Sequence, residues 1–244
     1  MATGALTGMT ILMSMGIHMD DAALYRLMTW LSPGFPVGAY AYSHGLEWAV
    51  EDDAVRNRDT LGQWLEDILH HGGGRSDAIL FQHAWTAARA GDNERLSQIN
   101  NLAIALAPSR ERRLETVDQG RAFLVAIAPT WPWKDAVDIA SYEGTDVTYP
   151  IAVAMTAAGH GVAVHSALHA YLHAFAANLI SAGVRLIPLG QTEGQQLLAQ
   201  LEPTVHALAR EALASGLDDL GGVAFLADIA SMRHETQYTR LFRS

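Results

Sequence analysis

Three histidines, His165, His169 and His173, recur at four-residue spacing. On one helix, imidazoles a turn apart can share a metal ion. The third stands two turns from the first, at about 5.4 Å of rise per turn, too far along the axis to join the same shell. The row therefore favours a structural or interfacial flank, with a metal role left open because imidazole suits nickel and zinc. A second pattern is Ser43-His44 inside SPGFPVGAYAYSHGLEWAV, residues 32–50. A serine beside a histidine suggests nucleophilic catalysis, but neighbouring helical residues point about 100° apart and no orienting carboxylate is evident. A fixed Pro/Gly loop, with a helix from Tyr40, that delivers Tyr40, Tyr42, His44 and Glu47 to a surface is the better reading.

Two further stretches have the residue types of binding sites. Gly72-Gly73-Gly74 before Ser76 could cradle an anion at a helix start, though without a lysine or a feeding strand it reads as a flexible connector with Ser76 as N-cap. Val184 to Thr192 (VRLIPLGQT) reads as a helix–loop–helix corner, or as a surface lined by Arg185 and Gln191. The chain closes with SMRHETQYTRLFRS, residues 231–244. Its three arginines and one glutamate give a formal charge of +2, against −10 for the whole chain and hence −12 for the rest. Such a segment can fold back on its own acidic body or dock on an acidic partner through Tyr238 and Phe242, and its composition favours the partner.

The elements that must position these groups are helices. Thr60 to His71 carries apolar residues at helical spacing and stops at Gly72; Asp92 can cap the helix after it, and Gly91 is a stop. Further helices are expected over 22–30, 77–90, 109–128, 134–142, 150–158, 162–182, 192–214 and 222–231, and strand signals are weak. The prediction is an all-α single domain of about nine or ten helices over 21–230. A leader precedes it over 1–20, with five methionines before residue 20, and the 231–244 tail follows as a partner-docking segment.

Composition excludes several classes. Cysteine is absent, which removes thiolate sites and disulfides. Lys134 is the only lysine, so there is no Walker A motif and the chain is not a P-loop nucleotidase. The acidic balance argues against nucleic acid and anionic lipid as partners. Residues 147–184 lack Asp, Glu, Lys and Arg, yet Pro150, Gly159, Gly161 and four histidines interrupt them. Buried helices are expected there, not a membrane span.

Four blocks together resemble the urease accessory protein UreF family: LSPGFPVGAYAYSHGLE (31–47), SRERRLETVDQGRAFL (109–124), RLIPLGQTEGQ (185–195) and DIASMRHETQYTRLFRS (228–244). They span residues 22 to 244 in order, and the ending is the most specific. The resemblance implies an all-α, dimer-forming, cytoplasmic protein with no catalysis of its own and no stably bound cofactor, nickel being handled by the complex. It implies bridging between the accessory protein UreD (also called UreH) and the GTPase UreG, docking on urease apoprotein, and GTP-dependent nickel insertion; GTPase regulation and an internal nickel passage have also been proposed for such proteins. It places partner contacts at Pro33, Tyr42, His44 and Glu47 and at Arg233, His234, Glu235, Tyr238, Arg240 and Phe242. The alternative is a metal-dependent helical enzyme built on His165, His169 and His173.

Overall fold

The computed structural model describes residues 20–133 and 146–244. The leader up to residue 19 and the expected helix over 134–142 lie outside them. The described residues form eleven α-helices and no strand: α1 (Asp21–Trp30), α2 (Leu46–Glu51), α3 (Arg58–His71), α4 (Gly73–Ala90), α5 (Asn93–Ala105), α6 (Arg110–Thr130), α7 (Tyr149–Gly159), α8 (Val164–Leu186), α9 (Gln191–Gln200), α10 (Glu202–Ala214) and α11 (Phe225–His234). The all-α architecture is the expected one. The single helix expected over 192–214 is divided at Leu201, and Pro203, which has no N–H to donate, falls in the first turn of α10 where none is needed.

The centre of the molecule is α7. Every residue from Pro150 to Ala158 is buried, on all sides of the helix. Charge-free and alanine-rich, it packs against α4, α6 and α8, and small side chains let the flanking helices approach closely. This accounts for the long uncharged stretch, and no helix of the described residues is long and apolar enough to cross a membrane. Asp20 caps α1, Asp92 caps α5 and Ser109 caps α6, each side chain accepting a backbone N–H of the first turn.

Two local expectations change. The glycine triplet is not a flexible connector: α4 starts at Gly73 and Ser76 lies within it. A Cβ on Gly72 would stand 2.8 Å from Cβ of Ala224, and one on Gly74 would stand 2.9 Å from Cα of Leu69. The triplet is thus the price of a tight α3–α4 corner. The helix expected from Tyr40 is instead a short 3-10 turn at Ala39–Ala41 and a break before α2. At that break His44 (φ 57°) and Gly45 (φ 77°) are both left-handed.

Gly74→Ala is expected to destabilise the fold by on the order of 1–3 kcal/mol, because backbone of α3 must move to admit the methyl group. Urea unfolding of the two proteins measures this.

Candidate docking site at the chain terminus

The tail is not free. α11 brings Ser231, His234 and Glu235 against the first turns of α6, and the chain then crosses back to the loop before α2. The side chain of His234 is fully buried between two carboxylates, Nδ1 at 2.6 Å from Glu111 Oε2 and Nε2 at 3.0 Å from Glu47 Oε2. Glu47 also accepts the backbone N–H of Leu241 at 2.6 Å and of Phe242 at 2.9 Å. Arg240 donates to Glu111 at 2.6 Å, and the N–H of Arg110 donates to Glu235 at 2.8 Å. Ser109 and Ser231 share a hydrogen bond between their hydroxyls. At the far end, Ser43 donates its N–H (2.7 Å) and its hydroxyl to the Ser244 carbonyl oxygen, and Arg243 N–H donates to the Ala41 carbonyl at 2.8 Å.

The geometry follows from local sequence. Glu111, Glu115 and Gln119 stand four residues apart on α6, so one face presents all three. The left-handed pair His44-Gly45 turns the chain so that α2 begins against α11, and a Cβ on Gly45 would lie 2.5 Å from the backbone nitrogen of Ser231. Phe242 inserts beside the end of α8, where the Arg185 guanidinium lies 4.3 Å from its ring centroid.

Behind this latch lies a second polar cluster. Buried Glu115 is bonded by Arg112, by His44 Nε2 at 2.6 Å, by Gln119 Nε2 at 3.0 Å and by the Ser244 hydroxyl at 2.7 Å. Burial alone would raise its carboxyl; Arg112, then His44 and Ser244, outweigh that and hold it at about 2. Burial, then Arg112, pushes His44 below its ordinary value, so a neutral ring donates to Glu115.

The expected partner contacts thus fall into three groups, the half-buried His44 and Glu235 being held by Glu115 and by the Arg110 N–H. Glu47, Tyr42, His234 and Phe242 are buried within the chain, Tyr42 donating its hydroxyl to Asp118 at 3.3 Å. As anchors for another molecule, Phe242 and His234 would first have to leave this core. Pro33, Arg185, Gln191, Arg233, Tyr238 and Arg240 are exposed, Tyr238 entirely. Gln191 and Pro33 take no part in the latch hydrogen bonds. Composition missed Ser43, Ser109, Glu111 and Glu115, although the four-residue spacing of Glu111, Glu115 and Gln119 announced an acidic face awaiting basic groups. Ser43, held by Ser244, is no free nucleophile.

The histidine row is divided as well. His165 and His169 stack with centroids 4.2 Å apart, and the third ring in the stack is His206 of α10, 4.9 Å from His169. His169 Nδ1 donates to the His165 carbonyl at 2.8 Å. Burial pushes His169 below its ordinary value. Among the described residues, no group of three or more His, Cys, Asp or Glu is arranged to hold a metal ion.

Comparison with known proteins agrees with the resemblance, the family match including the blocks at 109–124 and 185–195. The family model UreF matches residues 55–202. The urease accessory protein UreF of Rhodopseudomonas palustris (strain BisA53) is 52% identical over 223 residues, covering 91% of this chain and 94% of that protein. That of Bradyrhizobium diazoefficiens is 52% identical over 225 residues, 92% and 93% of the two chains. That of Xanthobacter autotrophicus is 53% identical over 222 residues, 91% of each.

Glu47→Ala leaves two buried backbone N–H groups and His234 Nε2 without their acceptor. It is expected to cost on the order of 3–5 kcal/mol in urea unfolding and to open Arg240 and Arg243 to trypsin. The Glu115 shift carries a pH signature of opposite sign to a raised group. Its folded carboxyl lies below the unfolded 4.5, so its stabilisation is complete above about pH 4.5 and is lost as pH falls through about 2. A shift of this size is worth about 3 kcal/mol. Urea midpoints measured down this window should fall more steeply for the native chain than for Glu115→Gln.

Proposed function

The chain belongs to the UreF family of urease accessory proteins, and we propose that it serves urease maturation as a non-catalytic scaffold bridging a UreD/UreH-type protein and the GTPase UreG. In this reading it acts in the cytoplasm as a homodimer, docks with its partners on urease apoprotein and supports GTP-dependent nickel insertion. Nickel is then cargo of the assembly, and the chain keeps no cofactor of its own.

The observation that carries the proposal is the outward face of the docked tail. Met232, Tyr238 and Leu241 expose 49%, 102% and 66% of their surface. Arg233 and Arg243 are exposed beside them, and Arg110, Arg113 and Leu114 are exposed on the neighbouring turn of α6. A cluster of arginines with aromatic and aliphatic anchors, on a chain of net charge −10, suits an acidic protein surface. The family blocks at 31–47, 109–124 and 228–244 supply both the latch and this face, while the block at 185–195 supplies Arg185 over Phe242.

Cutting the chain at Ala230 is a poor test, since it strips His234 and Phe242 from the core. Tyr238→Ala combined with Arg233→Glu alters only exposed groups. It is expected to unfold like the native protein and to capture a UreD/UreH-like or UreG-like partner at least about tenfold more weakly in quantitative pull-down. Equal capture of both partners would remove the tail face from the account.

A further inference from the structure

Behind the latch, and sharing His44, Arg112 and Glu115 with its polar cluster, a cleft of about 400 Å³ is lined by the 31–40 loop and by residues of α4, α6, α7, α8 and α9. That volume is in the range that takes a small organic ligand. Phe35, Tyr149, Tyr171 and Phe175 give it an aromatic lining, beside polar side chains that include Gln119, His173 and Asn178.

The charges at its inner end do not balance. Arg112 and Glu115 neutralise one another as an ion pair. His44, held neutral, is committed to Glu115. Asp77 lines the same cleft and accepts the Tyr171 hydroxyl on one oxygen at 2.8 Å. Among the described residues no Arg, Lys or His nitrogen lies within salt-bridge distance of it. The cleft therefore holds one carboxylate without a counter-ion, ringed by aromatic side chains.

We propose that this cleft binds a small organic cation, an ammonium group on an apolar or aromatic body, with Asp77 as its counter-ion. The ammonium completes the charge balance, and the tyrosine and phenylalanine rings add cation–π attraction. An anion would meet Asp77 and Glu115 together, and a neutral molecule would leave the Asp77 charge uncompensated. A metal ion lacks its donors, since no group of three ligating side chains is arranged for one among the described residues.

The empty site has a matching property. Burial raises the Asp77 carboxyl to about 6, against the lowering effects of the Tyr171 hydrogen bond and of Arg112. A bound cation favours the ionised form, so binding strengthens as pH rises through this value. The titratable and charged groups around Asp77 are Tyr171, Arg112, Glu115 and His44, and His173 also lines the cleft. Glu115, held at about 2, is ionised throughout this range, and Asp77→Asn separates the part of the pH dependence that belongs to Asp77 from any that the histidines contribute.

The test is isothermal titration of the full chain with benzylammonium, with benzyl alcohol and phenylacetate as neutral and anionic controls at matched ionic strength. At about pH 7.5 benzylammonium should bind saturably at one site and the controls at least about tenfold more weakly. Affinity should fall about tenfold towards pH 5, where about a tenth of Asp77 is ionised. Asp77→Asn keeps the Tyr171 acceptor and should weaken benzylammonium by about tenfold while leaving benzyl alcohol unchanged. If that variant does not fold, the pH profile of the native chain decides. No saturable binding, equal binding of all three probes, or an affinity indifferent to pH would overturn the proposal, as would undiminished binding by a folded Asp77→Asn.

Discussion

The Glu47 carboxylate holds the chain terminus to the body. It is buried near the start of a short helix and takes hydrogen from three donors of the tail, the His234 ring and the N–H groups of Leu241 and Phe242. A buried carboxylate is tolerable only when it is paired and hydrogen-bonded on most sides. The body cannot satisfy Glu47 alone, and every donor it uses comes from residues 234–242. The same holds for Glu111, which takes His234 and Arg240. Part of the tail's basic character on an acidic chain thereby acquires a structural reason: Arg240 and the His234 ring meet acids that α2 and α6 place inside.

This arrangement gives the terminal segment two faces with different duties. Alternate groups point inward, Ser231, His234 and Phe242 among them, and these fix its path. Met232, Arg233, Tyr238 and Leu241 remain outside on a backbone that the inward groups hold. A surface presented this way has already lost much of its conformational freedom before a partner arrives, which lowers the entropy cost of association. For the scaffold role proposed above, a held face of this kind is a suitable contact.

Much of the fold could be read from local signals. Asp92 caps a helix where its side chain predicts, Gly91 ends one, and the uncharged alanine-rich stretch folds as α7, buried on every side from Pro150 to Ala158, and α8, buried along one face. The failures are of another kind. The glycine triplet enters a helix, against glycine's propensity, because Ala224 leaves no room for a side chain at Gly72 and α3 leaves none at Gly74. His206 joins the His165–His169 stack from 37 positions beyond His169 in the chain. The tail was the hardest case. Its arginines and aromatics favour another protein by composition, and the acceptor that ties part of them to the chain's own body, Glu47, lies 187 residues from His234. Composition reports that counter-charges are wanted, and only the tertiary fold says whose they are.

The most direct measurement of this account is residue-resolved amide hydrogen exchange on the isolated, partner-free chain. The N–H groups of Leu241 and Phe242, both donated to Glu47, should exchange slowly, with protection approaching that of α11, while exposed Tyr238 exchanges fast. Exchange of Leu241 and Phe242 at the rate of an unstructured peptide would show that the tail is not held by its own body, and would contradict the account.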